Sequence, residues 1–343
     1  MMKKRRFGLL LAAAATAALL GACSEGDAES TGKGDDVVDI VWYPNESGND
    51  LKSARDAIGD AVGEATGKEV KHHLTTDYAI AIETIVNNNA ELAFMGAQGY
   101  IEAKEGNDAI EPLAVPTGPS GTLDDAKYHS WIAVEKENAD EYKDGDGYTI
   151  DPIEGKSFSF VSNSSTSGFV VPSSSILNHF SDKGLSEEDL MEGGPFFEQV
   201  QFGGSHQGSA VNLLKGTVEA AAFCDTCVDN YVEVAEGEEN TAGSVYRVKD
   251  DAAEPFHTVP GEEFVLVSVT PVLNAPFVAN TEVLSEEDFT KIRDAFTSDE
   301  MAENEGVFVP EDSEQSGLFK KTEGERFVEV EDSWFDPIRE LSN

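Results

Sequence analysis

The chain has 343 residues, 40% of them hydrophobic, and carries a formal charge of −42 from 24 basic and 66 acidic residues. That length accommodates two domains with real cores, and the charge excludes nucleic acid as a partner and adsorption to anionic lipid through basic patches. Such a surface is usual in proteins from salty surroundings, where a Debye length of about 3 Å at 1 M ionic strength screens self-repulsion, and a salt-adapted source is expected.

The first elements belong to export. Lys3, Lys4, Arg5 and Arg6 precede an apolar run from Phe7 to Leu20. This is the layout of a signal peptide, and the run is shorter than the ~20 apolar residues of a membrane span. It closes on Leu20-Gly21-Ala22-Cys23, which resembles the lipobox of bacterial lipoproteins. Residues 1–22 are therefore expected to be removed and Cys23 to be acylated, with residues 23–36 as a flexible acidic tether. Removal would leave 20 basic against 66 acidic residues, a charge of about −46.

From Val37 the pattern alternates. Val37–Trp42 predicts a strand, and Leu51, Ala54, Ile58, Ala61, Val62 and Ala65 recur on one face of a helix that Gly67 ends. A strand over 70–74 follows, then a helix capped by Asp77, a strand over 91–95, a short helix over 99–103 and a strand at 113–115. Such alternation predicts an α/β domain with a mostly parallel sheet. Tyr128 to Glu135 reads as a strand leaving it, and 136–147 as a charged loop. A second α/β unit is expected from strands over 157–162, 198–202 and 220–223 and helices over 169–180 and 209–214. A strand at 264–268 would return to the first unit, and helices over 286–296 and 325–341 would complete it. The expected lobes are 37–133 plus 262–343, and 134–261, with a ligand cleft between them.

Four features point to that cleft. Ser165-Thr166-Ser167-Gly168 lies between a strand and a helix, where free N–H groups and hydroxyls suit an oxyanion; it reads equally as an N-cap. Phe202-Gly-Gly-Ser-His206 is a glycine-rich turn whose histidine could donate to an anion or bond to backbone. Tyr78 opens a helix and Tyr128 precedes the crossover strand, each a ligand donor or a packing residue.

With Asp77-Tyr78-Ala79-Ile80, Ala93-Phe-Met-Gly96, Tyr128-His129-Ser130, Asn163 to Pro172, Gly204-Ser-His206 and Gly216-Thr-Val-Glu-Ala-Ala221, nearly the whole chain after the signal resembles the PhnD-like phosphate, phosphite and phosphonate-binding lipoproteins of ABC importers. The resemblance implies a two-lobed type II periplasmic-binding-protein fold, two Rossmann-like lobes joined by a two-strand hinge. It also implies a monomer with no cofactor, no metal and no catalysis, which hands a small phosphorus oxyanion to an ABC permease. Ser165, Thr166, Ser167 and His206 would hold the oxyanion from one lobe, with Tyr78 and Tyr128 from the other. Members that take aminoalkylphosphonates carry two acids near the ammonium group. Here Ala275 stands at one position, and Asp225 lies near the other. An unpaired ammonium is costly to bury, so a simple alkylphosphonate, phosphite or phosphate is expected.

Cys224 and Cys227 form a C-x-x-C pair. Zinc would need further ligands, and a redox role lacks its usual strand–helix setting, so a disulfide is expected in an exported protein. The alternatives are the same fold holding a sulfonate, a thiamine precursor or another oxyanion, and a secreted hydrolase built on a serine beside His206.

Overall fold

The structure is a computed structural model that describes residues 36–313 and 315–341. The expected signal, Cys23 and all but the last residue of the tether lie outside the described residues. Among those described, no helix is long and apolar enough to cross a membrane.

The first half follows the alternating pattern closely: β1 (Val37–Trp42), α1 (Lys52–Thr66), β2 (Glu69–Leu74), α2 (Tyr78–Val86), β3 (Leu92–Phe94), α3 (Ala97–Gly106) and β4 (Ile110–Pro116). Gly67 ends α1 at φ 73°, a left-handed conformation that glycine adopts freely. Asp77 starts α2, its Oδ1 accepting from Ala79 N at 2.8 Å. Then come β5 (Lys127–Glu135), a small hairpin of β6 (Lys143–Asp144) and β7 (Gly147–Tyr148), β8 (Ser157–Phe160), α4 (Val171–His179), α5 (Glu188–Met191), β9 (Gln199–Phe202), α6 (His206–Leu214) and β10 (Ala220–Cys224). Beyond lie β11 (Val232–Glu236), β12 (Val245–Val248), β13 (Glu263–Leu273), β14 (Phe277–Asn280), α7 (Glu286–Phe296), α8 (Asp299–Ala302), β15 (Phe308–Pro310), β16 (Phe319–Lys321), β17 (Phe327–Val328) and α9 (Asp336–Arg339).

Two large sheets organise these elements. One has the order β17-β4-β14-β3-β1-β2, the other β11-β12-β13-β5-β10-β8-β9. Neither is mostly parallel. β1 is parallel to β2 and β3, but β14 inserts antiparallel between β3 and β4. In the second sheet only the β10-β8-β9 edge is parallel. The returning strands cause this. β5 and β13 pair antiparallel from Lys127↔Leu273 to Glu135↔Phe264, so the strand expected to re-enter the first unit stays in the second sheet. The chain passes between sheets at residues 117–126 and 274–276, whereas the expected lobe limits fall inside β5 and just before β13.

The helix expected over 325–341 does not form as one element. Phe327 pairs with Pro116 at the edge of the first sheet, and only Asp336–Arg339 is α-helical. Pro337 lacks an N–H and clashes with a preceding turn, so a helix can begin there but cannot run through it. The aromatic cluster of Phe277, Phe296, Phe308, Phe319 and Phe327 is better filled by a short strand carrying Phe327 inward.

Candidate functional site: a donor-lined cleft

The turn after β8 is built for close approach. Ser165 is extended (φ −88°, ψ 122°) and its Oγ accepts from Gly168 N at 3.1 Å, starting a wide π-type turn over Thr166–Val170 that continues into α4. A Cβ on Gly168 would collide with Val161 and Ser165 Oγ, so glycine lets the turn fold back on β8. The other helix starts one turn earlier than expected. Ser205 caps α6 by accepting from Gly208 N at 2.9 Å, which makes His206 its first residue.

His206 is buried, and burial lowers its pKa from the ordinary 6.5 to about 3. It is therefore neutral. Its Nδ1 accepts from Cys224 N at 3.0 Å, which puts the ring proton on Nε2. That nitrogen faces Ser165 Oγ at 3.3 Å and donates to it.

The neighbouring hydroxyls share one polarity. Ser165 Oγ accepts from Gly168 N and His206 Nε2. Thr166 Oγ1 accepts from Gln98 N at 2.8 Å, at the start of α3 under the opposite sheet. Tyr78 OH accepts from Asn45 Nδ2 at 2.7 Å. Each oxygen already receives a donor, so each keeps its own hydrogen to give. Ser167 is buried beside them, its carbonyl accepting from Ser130 Oγ at 2.7 Å. Tyr128 rises from β5, and burial raises its phenol pKa and that of Tyr78 far above 10. Both tyrosines are neutral donors at any physiological pH.

All six residues expected at the site, Tyr78, Tyr128, Ser165, Thr166, Ser167 and His206, line one cavity of about 460 Å³ between the two sheets. Five buried side-chain atoms among the described residues have no hydrogen-bond partner, and four of them (Tyr43 OH, Glu46 Oε2, Gln207 Oε1 and Asp229 Oδ1) belong to residues lining this cavity. Unsatisfied polar atoms are rare in folded proteins, and their concentration here marks where a ligand completes the structure.

Sequence reasoning missed the loop after β1. Asn45 donates to Tyr78 OH, its Oδ1 accepts from His206 N at 3.0 Å and its carbonyl accepts from Gln207 Nε2 at 3.1 Å. One side chain thus joins β1 and α2 to α6 across the cleft. Asn230 and Gly317 exchange two hydrogen bonds, at 2.9 and 3.2 Å, and Tyr231 OH donates to Asp50 Oδ2 at 2.8 Å. The available signal was position alone, since sites favour the C-terminal ends of strands.

Cys224 and Cys227 form a disulfide beside His206. The ligand atoms of the three residues lie within 4.8 Å of one another, but the sulfurs are bonded to each other. Asp225 lines the cavity with both carboxylate oxygens engaged, by His129 N at 2.9 Å, Thr226 N at 2.7 Å and His129 Nδ1 at 2.8 Å. Ala275 also lines it and offers no charge.

Comparison with known proteins agrees with this architecture. The family described as "ABC transporter, phosphonate, periplasmic substrate-binding protein" matches residues 40–335. The Phosphate-import protein PhnD of Mycolicibacterium smegmatis is 28% identical over 232 residues, 66% of this chain and 68% of that protein. A binding-protein component of an ABC phosphonate transporter from Pseudomonas aeruginosa superposes with a TM-score of 0.62 at 19% identity, over 89% of this chain and 85% of that one. PhnD1 from Prochlorococcus marinus in complex with methylphosphonate gives a TM-score of 0.62 at 15% identity, over 90% and 97% of the two chains. These two structures share the fold, and the family match spans nearly every described element, so the chain belongs to the periplasmic phosphonate-binding proteins, the substrate-binding components of ABC transporters that pass a small ligand to a membrane permease.

Proposed function

We propose that the cleft holds a small phosphorus oxyanion, a phosphonate, phosphite or phosphate, against Ser165, Thr166, Ser167, His206 and Tyr128 on the side of the second sheet and Tyr78 on the side of the first, so that Tyr128, expected opposite the serines, lies on their side. The observation that carries this reading is the shared polarity of the hydroxyls: three oxygens each already accept from a protein donor, so each can turn its own hydrogen to an acceptor-only ligand. Hydrogen bonds to an anion are about twice as strong as neutral ones. The donors are neutral, which suits a protein whose net charge of −42 repels anions at long range. Specific short-range bonds must then supply the affinity.

The polarity of His206 also weighs against the hydrolase alternative. A base for Ser165 needs a bare Nε2 and a carboxylate on Nδ1, whereas here Nδ1 is taken by a backbone N–H and Nε2 carries the proton. The protein binds and releases its ligand unchanged. We take the lobes to meet where the chain passes between the sheets, at residues 117–126 and 274–276, the unit to be a monomer, and Cys23 to anchor it by lipid outside the cell membrane; a Cys23→Ser variant would be recovered free of the membrane.

Thermal unfolding at high salt tests the ligand class. Methylphosphonate, phosphite or phosphate at 100 times its Kd raises stability by about 2.7 kcal/mol. A rise in Tm with one of these and none with thiamine supports the assignment; a response to thiamine or to no phosphorus compound removes it.

A further inference from the structure

Glu46 is an anomaly in a pocket of donors. It ends the short turn Pro44–Glu46 after β1, is 9% exposed, lines the cavity, and leaves its Oε2 without a partner. Arg55 on α1 stands beside it, yet its guanidinium donates to the carbonyls of Glu46 and Gly48 and not to the carboxylate. The preceding residue, Asn45, is the one that holds Tyr78 OH and His206 N. An ionised carboxylate lining the same cavity would repel a bound anion unless a proton lies between them.

We propose that Glu46 is the proton partner of the ligand: its free carboxyl oxygen shares a single proton with one oxygen of the bound oxyanion. This rests on the reading of the cleft as a phosphorus-oxyanion site. The balance is simple. A protonated Glu46 meets a dianion and donates, or an ionised Glu46 meets a monoanion and accepts its P–OH hydrogen. Both routes end in the same complex with one proton, and no other bond changes.

Burial supports the protonated form before binding, raising the Glu46 pKa from 4.5 to about 8. The titratable groups facing it are Arg55 from α1, Tyr43 at the end of β1, Tyr78 from α2 and Tyr128 from β5. His206 lies one hydrogen bond beyond, through Asn45. The three phenols stay protonated and His206 stays neutral above pH 5. Asp229, the other cavity acid with a buried oxygen that lacks a partner, is raised to about 7 and is offset by Lys320 and Lys249. Lys249 titrates on the alkaline side as well, its pKa lowered by burial. A substitution at Glu46 is therefore needed alongside the pH profile.

The test uses methylphosphonate and methanesulfonate, alike in shape, in calorimetric titrations from pH 5.5 to 9.5 at 1 M salt with the purified protein, Glu46→Gln and Asp229→Asn. Methanesulfonate carries no proton, so its affinity should stay level at low pH and fall about tenfold between pH 7 and pH 9 as Glu46 ionises. Methylphosphonate should pass through a maximum, losing affinity at low pH where the ligand itself takes up a second proton and at high pH where none remains to share. Glu46→Gln should remove the alkaline fall for both ligands, because an amide donates at every pH, and Asp229→Asn should keep it. A fall that persists in Glu46→Gln, that vanishes in Asp229→Asn, or that is absent from the native protein while methylphosphonate still binds, overturns the role of Glu46. Absence of methylphosphonate, phosphite and phosphate binding at every pH overturns the underlying ligand assignment instead.

Discussion

His206→Asn separates the structural and the ligand-facing roles of one ring. An asparagine amide oxygen can stand where Nδ1 accepts from Cys224 N, but no donor then reaches Ser165. The substitution also removes a titration. The folded pKa of His206 is about 3 and the unfolded value 6.5, both set by whether the ring is buried. Between those values the unfolded chain binds a proton that the folded chain refuses, so the stability contribution is complete above pH 6.5 and is lost as pH falls toward 3. Going from pH 7 to pH 5 should cost the native protein about 2 kcal/mol through this group alone. Glu46 and Asp229, raised to about 8 and about 7, act with the opposite sign, gaining stability as pH falls through those values. The total slope is thus a sum, and the difference between native protein and variant isolates the histidine. Urea unfolding at both pH values measures it. If the two proteins lose or gain the same stability between pH 7 and pH 5, the ring is not buried neutral and the assignment of its Nε2 proton fails with it.

Other outcomes follow from the same geometry. Cys227→Ser opens a loop whose cysteines are three residues apart, and the short closure limits the loss to about 2 kcal/mol, readable by urea unfolding of native and variant protein under oxidising conditions. Gly99→Ala should destabilise by about 1–3 kcal/mol, since a Cβ there overlaps the buried Tyr43 hydroxyl and must displace a ring whose centroid lies 4.1 Å from that of Tyr78; a calorimetric scan with unchanged Tm would contradict that packing. With 66 acidic residues against 24 basic ones, the unfolding midpoint should climb as sodium chloride is raised to 1 M, and a flat salt series would show the surface charge to be energetically idle.

The first half of the fold was readable because each element carried its own local signal. The helix face from Leu51 to Ala65, the Gly67 stop and the Asp77 cap all emerge within about two residues of expectation. The six expected site residues also converge on one cavity, since a hydroxyl run or a glycine–histidine turn at a strand end is local chemistry. What was not readable is set by long-range pairing. β14 is four residues long and finds its place between β3 and β4 only because Phe277 enters an aromatic cluster assembled from remote segments. β13 reads as a returning strand in isolation, yet its register with β5 holds it in the second sheet for its whole length. Asn45 and Glu46 look like an ordinary turn in sequence. Their importance appears only when α2 and α6 are brought to either side of them.

The turn at Ser165–Ser167 supplies the donors to a phosphorus oxyanion, with His206 holding the Ser165 hydroxyl in place. The direct measurement is isothermal titration of methylphosphonate into the native protein, Thr166→Ala and His206→Asn at 1 M salt. Thr166→Ala removes one charge-assisted hydrogen bond, worth about 1.5–3 kcal/mol, and should weaken binding roughly ten- to a hundredfold, while His206→Asn removes the donor that holds the Ser165 hydroxyl and should weaken binding as well, both proteins staying folded. Native affinity in both folded variants would contradict the site.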